Sequence, residues 1–226
     1  MRNDLEISVR PGKDLSQEER AVIFALFDQS YEEANHDYLM ASFDVMRWIA
    51  LAYDGEHLAG FAVGDGVLSG LPRMTGEQLV AMAGIACIDE GHRRTGLFGL
   101  LSVTAIMECG LFRPEQPFLM CGRMAHAASY RAMVKAGTNC VPRAGKPISP
   151  WQRDVIAHVA ALYDVKVDLK TSRVIGKGKP IGYPRLDLHP TPDEEAVFAD
   201  VQREKGDSLL ALSWRPHAPQ GWQEVS

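Results

Sequence analysis

Between Ile85 and Leu101 the chain reads Ile-Ala-Cys-Ile-Asp-Glu-Gly-His-Arg-Arg-Thr-Gly-Leu-Phe-Gly-Leu-Leu. An apolar run ends at Ile88 and a basic, glycine-bearing turn follows. From Thr95 to Met107 thirteen residues then pass without a charged side chain. A membrane span needs about 20 apolar residues, so this stretch reads as a buried helix instead. A buried strand that feeds a buried helix through a short turn must be covered by other elements. The segment therefore commits the chain to a layered α/β arrangement.

The first amides of such a helix have no internal partner, and the helix dipole places partial positive charge there. Glycines let the backbone close on a ligand, and Arg93 and Arg94 add full charge. This combination suits a pyrophosphate held without a metal. On the bare pattern, a tight turn whose arginines face water fits equally well. The segment is not a P-loop, because Gly-Lys-Ser/Thr is missing. It is not a dinucleotide fingerprint either, because the three glycines and the downstream acid do not fall into place.

The surrounding sequence alternates strand and helix. Leu5, Ile7 and Val9 alternate with polar residues up to Pro11-Gly12, a first strand. Ser16-Gln17-Glu18-Glu19 fits a capping box before Val22, Ile23, Leu26 and Phe27. Tyr31 to Met46 reads as one or two short helices. Trp48–Tyr53 and Leu58–Val63, joined through Asp54-Gly55, form a hairpin signal, with Leu68 to Gly76 a loop. Leu79 to Ile88 is a long strand whose Gly84 marks a bulge or a close backbone approach. Phe118 to Met124 is another strand. Ala127 to Ala136 is a helix closed by Gly137.

After Cys140 the texture changes, with Pro142, Gly145, Pro147 and Pro150 forming a linker-like stretch. Ser149-Pro150-Trp151-Gln152 and Thr191-Pro192-Asp193-Glu194 are further capping boxes. The first opens a helix to about Leu162 and the second a helix ending near Lys205-Gly206. Val165, Val167 and Leu169 read as a strand, Gly176 to Pro190 as loop, and Asp207 to Trp214 as a final strand.

Composition excludes several classes. Hydrophobic residues are 46% and charged residues 23% of 226, values of a folded globular chain rather than a disordered one. The net charge of −5 gives no basic excess, so neither nucleic acid nor an acidic membrane surface is expected as a partner. Cys87, Cys109, Cys121 and Cys140 contain no CxxC pair, and no signal-like apolar region follows Met1-Arg2-Asn3-Asp4. Reduced thiols and a cytoplasmic location are the expectation. The seven histidines show no paired ligand spacing such as HxxxH, so no metal site is expected.

The strand–turn–helix around Arg93 resembles the acyl-CoA motif of the GNAT superfamily of N-acetyltransferases, Gln/Arg-x-x-Gly-x-Gly/Ala. Arg93 matches the first position and Gly96 the second, whereas the third is Phe98. The order of elements from residue 5 to 137 is also that of GNAT domains: strand, two helices, hairpin, long bulged strand, CoA helix, strand, helix. The resemblance implies a mixed α/β, GNAT-like acyl-CoA N-acyltransferase fold with a bulged, splayed central sheet. It covers residues 1–141 and leaves 142–226 as a C-terminal α/β extension that packs on the core, completes it or forms a homodimer contact. The co-substrate is expected to be acetyl-CoA or another acyl-CoA. Backbone near Ile88 would pair with pantetheine, and Arg93, Arg94, Thr95, Gly96, Leu97, Phe98 and Gly99 would hold the pyrophosphate. The acceptor would be a small-molecule or peptide amine that attacks the thioester directly. Alternatives are a weak or inactive GNAT-fold acyl-CoA-binding module and an acyltransferase fed by an acyl-carrier protein.

The resemblance is less generous with catalytic groups. Counting four residues back from Gly137, where the family has its tyrosine acid, lands on Met133, and Thr138 replaces an aromatic. His126 stands where the family often has Asn. Tyr130, one turn before Met133, is the candidate acid, and local packing with a hydrogen bond is the competing role. The Leu79–Ile88 strand has no carboxylate, so Asp89, Glu90 and His92 are expected to be solvated turn residues. Cys87 and Cys121 read as buried small hydrophobes, and Gly176-Lys177-Gly178-Lys179 as a solvated loop. Tyr31, His36, Tyr38 and Trp48 fall where GNAT folds line the acceptor groove.

Overall fold

The computed structural model of the protein describes residues 5–113, 115–136, 139–186 and 189–223. In chain order they form β1 (Glu6–Pro11), α1 (Gln17–Ser30), β2 (Tyr31–Glu32), α2 (His36–Ser42), β3 (Trp48–Asp54), β4 (His57–Ser69), β5 (Gln78–Ile88) and α3 (Leu97–Met107). Then follow β6 (Phe118–Met124), α4 (Ala127–Ala136), α5 (Pro150–Leu162), β7 (Lys166–Asp168), β8 (Arg173–Ile175), β9 (Tyr183–Pro184), α6 (Pro192–Phe198) and β10 (Ser208–Arg215). The chain is a mixed α/β protein, and up to α4 its elements follow the expected order with the two-residue β2 added. The closure of α4 by Gly137, and Thr138 beside it, lie outside the described residues. Among the described residues no helix is long and apolar enough to cross a membrane.

Two compact units interleave along the chain. The first comprises Met1–Gly66, Met82–Phe112 and Ile181–Leu186. Its strands lie in the order β1-β3-β4-β5, with β1, β3 and β4 antiparallel neighbours. The β3–β4 hairpin turns at Gly55, whose φ of 59° suits a residue without Cβ, and its register shifts at Ala52/Tyr53. α3 lays Leu97, Leu101 and Ala105 on Ala50, Ala52, Ala59 and Ala62. These small residues let the helix lie close to the sheet. A Cβ on Gly60 would come within 2.7 Å of Ile88 Cδ1 and 3.1 Å of the Cys87 carbonyl. Each fully buried large aliphatic in such a layer contributes roughly 1.5–3 kcal/mol.

β4 extends to Ser69, well past the expected end at Val63. In the structure Asp65 is buried but paired: Arg47 Nε and Nη2 each donate to its carboxylate at 2.8 Å, and the Gly66 amide donates at 2.7 Å. A buried carboxylate satisfied this way does not end a strand. β5 runs through Gly84, where a Cβ would lie 2.8 Å from Met46 Cε and 2.9 Å from the Val63 carbonyl. Close approach is thus the reason for that glycine.

The second unit comprises Val67–Ala81, Arg113–Pro180 and Asp187–Ser226. Its strands β6, β10, β8 and β7 lie in that order and are antiparallel. β10 is buried from Ser208 to Trp214, as its unbroken apolar run requires. The strand read from Val165 to Leu169 is in fact one arm of a hairpin, β7–β8. α6 stops at Phe198 rather than near Lys205. The chain there turns toward Asp207, whose carboxylate accepts from the Gln202 and Gly176 amides at 3.2 and 2.8 Å and from Arg173 at 2.9 Å. The other departure from the sequence reading is β9. Within the first unit it pairs with β2, Tyr31 opposite Pro184 and Glu32 opposite Tyr183. Residues of the 142–226 stretch therefore belong to the first unit.

Candidate active site

The turn between β5 and α3 is built from internal hydrogen bonds. Asp89 caps a single 3-10 turn, Glu90–His92, by accepting the Gly91 amide at 2.9 Å. Thr95 Oγ1 donates to the His92 carbonyl at 2.7 Å. Two residues then take left-handed backbone, Arg94 at φ 66° and Gly96 at φ 90°. For arginine that conformation costs about 1–2 kcal/mol, so the turn is held against strain. Leu100 donates the first helical bond, to the Gly96 carbonyl at 3.1 Å. The amides of Leu97, Phe98 and Gly99 therefore lead α3 with no partner in the helix, and no side chain among the described residues caps them. A Cβ at Gly96 or at Gly99 would meet nothing within 4 Å among the described residues, so the side-chain positions of these two glycines are uncrowded.

The two arginines have different surroundings. Arg93 is half-buried; its Nε donates to the Ile88 carbonyl at 3.2 Å and its Nη1 to the Arg185 carbonyl at 3.4 Å. It is a strut that ties the end of β5 to the segment following β9. Arg94 is exposed, and its guanidinium has no hydrogen bond or ion pair among the described residues. The strut also brings in Arg185, whose amide donates to the Ser30 carbonyl at 2.8 Å and whose side chain is exposed. Sequence reasoning missed Arg185, since nothing local in a glycine- and proline-punctuated loop marks one basic residue as a neighbour of Arg93. Phe98, the departure from the motif, is 40% exposed rather than packed into the core.

Asp89 and His92 are only partly solvated, where solvated turn residues were expected; each side chain is 21% exposed. His92 Nδ1 lies 3.2 Å from Asp89 and Nε2 lies 3.3 Å from Asp54. Burial would raise the Asp89 carboxyl, but the His92 bond, the Gly91 amide and nearby His57 outweigh it and hold the group below the usual range. Glu90 is exposed as expected.

Tyr130 lies in the second unit, 4% exposed, with its ring edge-on to Phe198 and its hydroxyl donating to the Pro142 carbonyl at 2.8 Å. Burial pushes its pKa upward. Met133 belongs to the same apolar cluster. His126 Nδ1 accepts the Ala128 amide at 3.1 Å, and burial with Arg203 and Arg131 nearby lowers its pKa. The Cys87 and Cys121 thiols are buried and pushed up to about 12 by desolvation, so neither is a nucleophile at neutral pH. His36 is stacked on Phe24 and bonded to Asp28 at 2.7 Å, and Trp48 lies under the Arg47 guanidinium.

No family model and no curated protein matches the sequence. Solved structures with a similar fold include the ribosomal-protein-S18-alanine N-acetyltransferase of Escherichia coli, at 10% identity over 96% of this chain and 98% of that one, with a TM-score of 0.42. A Desulfovibrio desulfuricans protein assigned to the GNAT acetyltransferases is 13% identical over 66% of this chain and 93% of its own, with a TM-score of 0.41. The AtaT toxin bound to the C-terminus of the antitoxin AtaR is 13% identical over 67% and 89%, with a TM-score of 0.38. One of these three is described as a GNAT-family acetyltransferase and another as an N-acetyltransferase, and the likeness is one of fold.

Proposed function

We propose that the protein is an acyl-CoA-dependent N-acyltransferase that passes an acyl group, acetyl first among them, from CoA to an amine. The observation that carries this reading is the start of α3: three leading amides without a side-chain cap, uncrowded glycines at 96 and 99, and left-handed backbone at Arg94 and Gly96. Such a helix start favours an anion, and a pyrophosphate is the anion that an acyl-CoA presents. In this reading the amides of Leu97, Phe98 and Gly99 hold the pyrophosphate, with Thr95 and Gly96 shaping the turn. Arg94 and Arg185 supply charge, and Arg93 positions both. Ile88 marks the strand end along which pantetheine would run.

The amine nitrogen would attack the thioester carbonyl carbon, the C–S bond would break in the collapse of the tetrahedral intermediate, and CoA would leave as thiolate. The ammonium proton would go to solvent or a water chain. Tyr130 is the residue to test as the thiolate's proton donor. Its hydroxyl already donates to the Pro142 carbonyl, so that role requires this bond to break. The 142–226 extension, which lends Ile181–Leu186 to the first unit, is proposed to help select the acceptor.

Thermal melts with acetyl-CoA, followed by thiol release against a panel of amines, test the reading. A rise of several degrees together with amine-dependent CoA release supports it. A rise without release against the whole panel would mark a binding module. No rise would refute the site.

A further inference from the structure

Three side chains from two turns of the first unit converge beside the candidate site. His57 begins β4, while Asp89 and His92 bracket the single 3-10 turn before α3. His57 Nε2 lies 3.6 Å from Asp89 Oδ2, and His92 Nδ1 lies 3.2 Å from Asp89 Oδ1. One ligand atom from each of the three falls within 4.8 Å of the others. A tetrahedral ion with bonds of about 2.1 Å sets its ligands roughly 3.4 Å apart. The two short separations straddle that value.

The surroundings orient these groups as a metal site requires. His92 Nε2 lies 3.3 Å from Asp54 Oδ2, so Asp54 is placed to take the Nε2 proton once Nδ1 turns to a metal. A carboxylate that fixes the tautomer of a ligating histidine is the usual outer support of such sites. The Gly91 amide holds Asp89 Oδ1 in place at 2.9 Å. The His57 and His92 rings face each other, centroids 6.2 Å apart and 29° from parallel. His57 is 57% exposed, which leaves an entry path and room for water ligands.

We propose that His57, Asp89 and His92 form a binding site for one divalent transition-metal ion of the zinc class, with Asp54 as its positioning residue. Two imidazoles and one carboxylate suit such ions and not calcium or magnesium, which take oxygen ligands. An ion there would tie the β3–β4 hairpin to the turn that leads into α3. The proposal is independent of acyl-CoA binding, and its test reads metal alone.

The full chain, stripped with EDTA and dialysed, is titrated with ZnCl2 by calorimetry and with CoCl2 by visible absorption. About one equivalent of zinc should bind, and cobalt should give d–d bands. His57→Ala, at an exposed hairpin position, should weaken zinc binding at least about tenfold. Asp54→Asn should weaken it by about 10–100-fold while the stoichiometry stays at one. His158→Ala, in α5, should leave it unchanged. Binding well below one equivalent overturns the proposal, as does an affinity that survives His57→Ala or falls equally in His158→Ala. A cluster that is only a set of hydrogen bonds would give the first of these results.

Discussion

The start of α5 and the start of α3 solve one problem in opposite ways. At α5, Ser149 Oγ accepts the Gln152 amide at 3.2 Å and Gln152 Oε1 accepts the Ser149 amide at 2.9 Å, both buried. α1 and α6 carry the same reciprocal cap through Ser16 with Glu19 and Thr191 with Glu194. Asn35 caps α2, and His126 takes an amide of α4. At α3 the corresponding position is Gly96, which has no side chain to offer. Where a helix start is structural, this sequence spends a side chain on its free amides. At α3 it spends backbone strain at Arg94 instead and leaves the amides free for something else.

Closing the open start should have the largest effect. Gly96→Asp places a carboxylate where the anion would sit and should lower acetyl-CoA affinity by at least about 100-fold, roughly 2.8 kcal/mol. Calorimetry checks this, and an affinity within threefold of wild type would break the comparison. Arg94→Gly separates charge from strain. It should weaken acetyl-CoA by about tenfold while leaving stability equal or up to about 1 kcal/mol higher. Urea melts read the second half, and a loss of stability would mean that Arg94 is needed for the turn itself. Ser149→Ala makes the converse change at the capped start. It should cost about 1 kcal/mol of stability and leave acetyl-CoA affinity unchanged.

The smallest effect concerns the cap at α6. Arg131 bonds Glu194 through Nε and Nη2, at 2.6 and 2.5 Å, and holds its carboxyl at about 2 against burial that would raise it. A carboxyl depressed in the folded state adds stability above its unfolded pKa. That stability goes as pH falls from about 4.5 toward 2. Urea midpoints should fall more steeply across that window in wild type than in Glu194→Gln, and parallel curves would contradict the assignment.

This contrast also explains what could be read from the sequence. Capping boxes, the Asp54-Gly55 turn and the apolar runs of β5, α3 and β10 are local signals, and the structure has each of them. The short strands β8 and β9 have too few residues to show a period, and they exist only because β10 and β2 are there to pair with them. The run of β4 past Val63 depends on Asp65 finding Arg47, which lies on the far side of the hairpin. The candidate site divides the same way. The motif from Arg93 to Gly99 was legible, whereas the strut role of Arg93, the arrival of Arg185 and the meeting of His57 with His92 depend on chain returning from a distance. A spacing such as HxxxH marks histidines within one element, and the histidines that meet here come from two.

The free amides of α3 are proposed to receive the pyrophosphate. Amide NMR of the 15N-labelled full chain, titrated with CoA, tests this residue by residue. The largest shifts should fall on Leu97, Phe98 and Gly99, with Gln152 and Glu19, at the capped starts of α5 and α1, unmoved. Shifts centred elsewhere, or none at saturating CoA, would contradict it.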